Sequence, residues 1–221
     1  MYKKAYNLDV LIEKILQKVP IVDYATIKSV LTENKYKSIN DKISYMKKKG
    51  LLDTLKKGLF VYNSPYIKTL VSKEIIANNI YGPSYISYDY ALYYHSLIPE
   101  RVSEITSATT KNAKKFSNKY GIFSFKHIDK KLFALGVNIV SSKRGNFMIA
   151  SSEKALCDKI YTAKALNIRS KKVMSEYLIN NLRVDIDELK SFDLDIVKQY
   201  IYITKSIKVK FLFSVLQEGI Q

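Results

Sequence analysis

Between Ser38 and Asn63 the chain reads "SINDKISYMKKKGLLDTLKKGLFVYN". At about 100° per residue, Ile39, Ile43 and Met46 fall on one side of a helix, while Asn40, Asp41, Ser44, Tyr45 and Lys48 fall on the other side or its flanks. An asparagine amide matches the donor and acceptor edge of adenine, Ser and Tyr hydroxyls reach phosphates or bases, and lysines supply sequence-independent attraction. This combination is nucleic-acid chemistry. The candidate contacts on the helix are Asn40, Ser44, Tyr45, Lys47 and Lys48, with Lys37 anchoring its start and Lys56 and Lys57 in the segment beyond its end. The plain alternative for the same stretch is a solvated lysine face. Asp41 would repel phosphate and is assigned to the helix start.

The elements that must position these residues are legible around them. From Leu8 to Val19 the apolar positions follow the three-then-four spacing of a helix with one buried face, and Pro20 closes it. Asp23 is placed to cap a second helix over "YATIKSVL", and "TENKYK" turns the chain. Ser38 is the expected N-cap of the third helix, with Asp41 in the capping-box place, and Gly50 its expected end. Two short apolar runs, "LLDTL" and "LFVYN", then flank "KKG", which is a hairpin signal. Three helices and a hairpin make a winged helix-turn-helix, with a helix sized for the major groove and a wing whose tip lysines, Lys56 and Lys57, meet phosphates.

Charge supports a polyanionic partner. The chain carries 37 Lys+Arg against 20 Asp+Glu, a formal +17, and a pI near 9.6. Codon bias toward AT explains Lys in place of Arg but not the excess of positive charge. Residues 1–64 hold 13 Lys+Arg and 6 Asp+Glu, so most of the excess lies further on. It concentrates in Arg101, Lys111, Lys114, Lys115, Lys119, Lys126, Lys130, Lys131, Lys143 and Arg144, against only Glu104 and Asp129. These ten form a second candidate nucleic-acid patch, with a dispersed solvated surface as the alternative.

Other chemistries find little support. A single cysteine, Cys157, excludes an intramolecular disulfide and a multi-thiolate metal site and fits a reducing compartment, so the cytoplasm is expected. His95 and His127 lie far apart with no zinc-ligand pattern, and no glycine-rich phosphate loop is present. Glu153-Lys154 lacks the intervening residue of a metal-nuclease motif, and Asp185, Asp187 and Glu188 read as a solvated helix start. "TSATTK" suits an anion but reads better as strand, and Tyr90, Tyr93 and Tyr94 at helical spacing read as packing. No catalysis and no cofactor are expected. The segment Met1–Val19 has no uninterrupted apolar core, and no later stretch reaches membrane-spanning length, so no membrane is expected as a partner.

The expected fold class is α+β: a winged helix-turn-helix over 1–64, a connecting helix or linker over 65–82 opened by Ser64-Pro65, and a second domain over 83–221. After the "YGPS" turn come a strand "YIS", a Ser87-capped helix "YDYALYYHSL", and strands in "RVSEITSAT", "GIFSFKHI", "LFALGVNIV" and "NFMIAS". A periodic helix comes next in "SSEKALCDKIYTAKAL", closing an α+β core at about residue 166, and a helical tail covers 170–221.

The ordered series "PSYISYDYALYYHSLIPERVSEITSATTK", "FSFKHIDKKLF" and "MIASSEKALCDKI" resembles the AbiEi-like antitoxins, predicted regulators of bacterial phage-defence loci that act by abortive infection. The resemblance spans the winged domain and the second domain to about Leu166. It rests on Ser87, Ala91, Leu92, Thr106, Ser107, Thr109, Thr110, Glu153, Lys154, Ala155 and Leu156 as markers of the domain. It implies a type IV toxin–antitoxin antitoxin that represses its own operon through the N-terminal domain and opposes a nucleotidyltransferase-like toxin through the C-terminal one. Direct contact with that toxin is left open. Such regulators commonly meet inverted repeats, so double-stranded operator DNA with two copies on one operator is the expected partner. The alternatives are an interaction module that sequesters the toxin directly and a nuclease of unrecognised motif.

Overall fold

A computed structural model describes residues 21–63 and 71–218. The helix expected over 8–19 and the Ser64-Pro65 helix start lie outside the described residues. The chain is α+β, and at its N-terminal end the described residues form two helices followed by a β-hairpin, in the order expected of the second and third helices and the wing.

The first unit runs β1 (Ile21–Asp23), α1 (Tyr24–Glu33), α2 (Ile39–Lys48), β2 (Leu52–Lys56) and β3 (Leu59–Tyr62), its strands in the antiparallel order β1-β3-β2. Asp23 caps α1 as expected, its Oδ1 accepting from the Thr26 N–H at 2.7 Å. α1 ends in a turn in which Tyr36 N–H reaches Leu31 O and Lys35 N–H reaches Thr32 O, with Lys35 at φ 61°. α2 ends the same way on Gly50, at φ 73°. Ser38 occupies the N-cap of α2, but its side chain makes no capping bond. β1 was not expected, because three residues carry too little alternation to register as a strand. One cluster, Val22, Ile27, Val30, Leu31, Ile43, Met46, Leu52, Phe60 and Tyr62, holds the two helices on one face of the hairpin.

The second unit is built on a six-stranded mixed sheet: β4 (Ser84–Ile86), β5 (Ile105–Thr109), β6 (Lys114–Asn118), β7 (Gly121–His127), β8 (Val137–Ser142) and β9 (Gly145–Ala150), ordered β6-β7-β5-β4-β9-β8. β6, "KKFSN", was missed because Phe116 is its one large apolar residue and an edge strand needs no more. α3 (Lys73–Ile80), capped by Ser72, buries Ile75, Ile76, Ala77 and Ile80 against the sheet. The segment expected as a connector is thus part of the second core. α4 (Tyr88–Tyr94) follows β4, its Tyr90 hydroxyl donating to Glu74 of α3 and its Tyr94 ring packed on Phe147, while α5 (Ser152–Thr162), capped by Ser151, lies on the face of the sheet where Tyr85 meets Asp158. The tail is helical as expected, with α6 (Lys171–Glu176) running into a wider turn over Tyr177–Asn181, then α7 (Ile186–Lys190), α8 (Leu194–Thr204) and α9 (Ile207–Glu218). No helix among the described residues is long and apolar enough to cross a membrane.

The motif residues of the resemblance are mostly interior. Ala91, Leu92, Ala155 and Leu156 are fully buried, and the Thr106 and Thr109 hydroxyls donate to Ser87 O and Pro83 O. Lys154 and Asp158, one turn apart on α5, are both fully buried and paired at 2.7 Å. Asp158 also accepts from Tyr85, Ser87 and Tyr200, at 2.9, 2.8 and 3.0 Å. The Lys154 ammonium lies 4.7 Å from the Tyr200 ring centre. Burial, together with the adjacent Asp158 charge, pushes the Tyr85 and Tyr200 hydroxyls far above their ordinary pKa. The network ties β4 to α5 and the helical tail. Gly136, at φ 61°, passes so close that a Cβ there would lie 2.9 Å from Lys154 Cβ.

Candidate nucleic-acid interface

α2 buries Ile43 and Met46 against α1 and the hairpin, the elements that pack on it among the described residues, and its other side is exposed. Asn40, Ser44, Tyr45, Lys47 and Lys48 are all exposed, as is Lys37 in the turn before the helix. At the wing tip Lys57 is exposed and Lys56 partly buried. The structure thus places six of the candidate positions on or just before α2, and two on the hairpin that follows it.

Contacts within this surface divide its residues. Tyr24, in the first turn of α1, donates its hydroxyl to Asn40 Oδ1 at 2.9 Å, while its own N–H reaches Gly58 O in the wing turn at 2.8 Å. Lys42 lies between the Tyr45 and Tyr36 rings, at 4.9 and 5.4 Å from their centres, and Lys49 is 5.9 Å from that of Tyr45. Lys47 rests 4.9 Å from the centre of Phe60. Tyr45 is thus an exposed ring flanked by two ammonium groups, suited to lie along a phosphate backbone. Tyr24, Lys42 and Lys49 were missed. The first-turn position of Tyr24 was visible, but its pairing across 16 residues was not.

The wing does not stand free. Its far face, with Leu55 and Val61, joins the core of the second unit. Asp53 in β2 accepts from Asn63 and from Tyr120, the latter at 2.9 Å, and pairs with Lys119, while Asn118 Nδ2 donates to Leu55 O at 3.2 Å. Burial alone would raise the Asp53 pKa, but these bonds outweigh it and hold the carboxyl below its usual range. A lone acid in a basic hairpin was the available signal for this junction.

The ten cations of the second patch are all exposed, but the sheet separates them. Lys111 and Lys114 lie on the wing side, with ammonium groups 5.6 and 5.8 Å from the Tyr81 ring centre. Lys115 faces the other way and pairs with Glu104 at 3.1 Å, and Lys126 lies 4.7 Å from the Tyr88 ring centre on that same face. Lys119 serves the junction. Lys130 and Lys131 sit on a single 3-10 turn (Lys130–Leu132), and Lys143 and Arg144 form the β8–β9 turn at the opposite edge of the sheet from β6. Arg101 lines a cavity of about 640 Å³ with Asp89, Glu100, Glu104, Lys126 and Lys159. There Lys159 pairs with Asp89, and Arg183 with Glu100.

The remaining polar candidates are engaged in structure. His95 Nε2 meets Ala150 O at 2.8 Å, and His127 Nδ1 meets Lys111 O at 3.1 Å. Cys157 is fully buried, which pushes its thiol pKa up. Tyr90 is buried, while Tyr93 and Tyr94 are half-exposed. Among the described residues no group of three or more His, Cys, Asp or Glu side chains is placed to hold a metal ion.

No family model matches the chain, and no curated protein matches it. Among solved structures, the chain resembles the RV2827C protein from Mycobacterium tuberculosis at a TM-score of 0.53 and 12% identity, over 97% of this chain and 82% of that one. That likeness is one of fold.

Proposed function

We propose that the chain is an AbiEi-like antitoxin of a type IV toxin–antitoxin system. It binds operator DNA to repress its own operon and counteracts a nucleotidyltransferase-like toxin. The observation that carries the DNA-binding part is the exposed polar side of α2, with Asn40, Ser44, Tyr45 and Lys48 standing beside a lysine-tipped wing. Lysines bring the protein onto the duplex irrespective of sequence, and Asn40 with its hydroxyl-bearing neighbours selects the site. The antitoxin part rests on the motif series of the second domain, whose residues form its interior framework.

Two cellular readouts test the proposal together. A reporter driven by the region upstream of the gene is expected to be repressed by the full chain, and growth arrest caused by the neighbouring toxin gene is expected to be relieved by it. A chain that leaves both reporter and growth arrest unchanged contradicts the proposal. Co-purification of the toxin with the chain would mark the counteraction as direct sequestration.

A further inference from the structure

Three lysines from two parts of the chain converge where the wing meets the large sheet. Asn118 holds the backbone of Leu55, and Asp53 is bound by Lys119 and Tyr120, so β2 is fixed against β6. Lys56 is the next residue after Leu55. Lys111 and Lys114 place their ammonium groups over the Tyr81 ring, whose hydroxyl is anchored on Asn112 O at 3.2 Å, and Lys114 also lies 5.3 Å from the Phe116 ring centre. Burial, and then the charges of Lys114 and Lys111, push the Lys56 pKa down.

Among the described residues no carboxylate pairs with any of the three. The acids of β2 and of the loop before β5 are committed elsewhere: Asp53 to Lys119, Tyr120 and Asn63, and Glu104 to Lys115 on the other face of the sheet. Ring faces offset part of the repulsion between the ammonium groups. An anion among them would offset far more, and it must accept hydrogen bonds from ammonium donors, as a phosphate does.

We propose that Lys56, Lys111 and Lys114 form a phosphate-binding site for the backbone of the same duplex that α2 reads, so that the second domain is part of the DNA-binding surface. The site rests on the DNA-binding reading above and extends it. Lys56 belongs to the wing and its two partners to the sheet, so one strand running past the wing tip meets all three. The remaining cations of the expected patch, on the opposite face or the far edge, take no part.

The test is the salt dependence of binding between the full chain and a mixed-sequence duplex of about 30 base pairs. The double variant Lys111→Ala/Lys114→Ala is expected to flatten the slope of log K against log salt by about 1.8, at about 0.9 per phosphate contact. The control Lys143→Ala/Arg144→Ala, with the same change in charge at the far edge, is expected to keep the wild-type slope. A wild-type slope in the first variant, or an equal loss in the control, overturns the site. If Lys48→Ala weakens binding while the double variant does not, the DNA-binding reading stands and the junction site falls. If the wild type binds no duplex at any salt concentration, both fall. Sodium phosphate at matched ionic strength is expected to compete no better than chloride. Selective competition by phosphate that the double variant abolishes would assign the site to the free ion and overturn the duplex proposal.

Discussion

Tyr24 donates its hydroxyl to Asn40 Oδ1 at 2.9 Å, joining the first turns of α1 and α2. The same tyrosine takes Gly58 O with its backbone N–H, so one residue ties the base-reading candidate to the wing turn. An amide held at its oxygen has one orientation in which to present its NH2 group, and that orientation decides which base edge it matches.

Tyr24→Phe is therefore expected to lower discrimination at the base pair read by Asn40 by about 1 kcal/mol, roughly fivefold, while affinity for mixed-sequence DNA stays unchanged. Binding selection from a randomised duplex pool measures this directly. A motif identical to that of the wild type would show that Tyr24 does not set the asparagine.

Asp53 is expected to govern how firmly the wing is seated. Its folded pKa lies below the unfolded value, so its stabilisation is complete above the unfolded pKa and is lost as pH falls through the lowered folded value. Wild-type protein should thus lose more stability than Asp53→Asn between about pH 5 and pH 3. Hydrogen exchange at the β2 amides should be faster in Asp53→Asn at neutral pH. Equal exchange in the two proteins would mean that the apolar contacts of Leu55 and Val61 seat the wing unaided.

The buried pair on α5 carries an asymmetric prediction. Asp158→Asn or Lys154→Ala leaves one charge buried without its partner and is expected to cost about 3–5 kcal/mol of stability. The double change Lys154→Ala/Asp158→Asn should cost less than the two single changes added together, because no charge is stranded. Urea denaturation of the four proteins gives the comparison, and strict additivity would argue against coupling between the two side chains.

At Gly50 nothing stands within 4 Å of where a Cβ would be, so the cost of adding one is backbone alone. With φ at 73°, Gly50→Ala is expected to destabilise by about 1 kcal/mol. A neutral outcome in chemical denaturation would show that the α2 terminus relaxes.

The local parts of this architecture were legible in the sequence because they depend on neighbours in the chain. Asp23 before an apolar rhythm, Gly50 after one, and Gly58 between two short apolar runs each encode a cap or a turn within a few residues. The exposure of Asn40 and Lys48 comes from the same periodicity. The parts that could not be read depend on distant partners. Nothing in the sequence around Lys154 and Asp158 signals that the pair is buried, and only the hydroxyls of Tyr85, Ser87 and Tyr200, brought in by β4 and α8, make that burial tolerable. β6 escaped because an edge strand of lysines resembles a loop. The second patch was charted along the chain, whereas alternation along β6 sends Lys114 and Lys115 to opposite faces of the sheet.

The central claim is that the solvent-facing side of α2 binds duplex DNA, and fluorescence-anisotropy titration against the duplex upstream of the gene tests it most directly. Wild-type protein is expected to bind saturably. Lys48→Ala should weaken binding to that duplex and to mixed-sequence DNA alike, and Asn40→Ala should narrow the gap between the two by about 1–3 kcal/mol. Unchanged affinities in both variants would contradict the account.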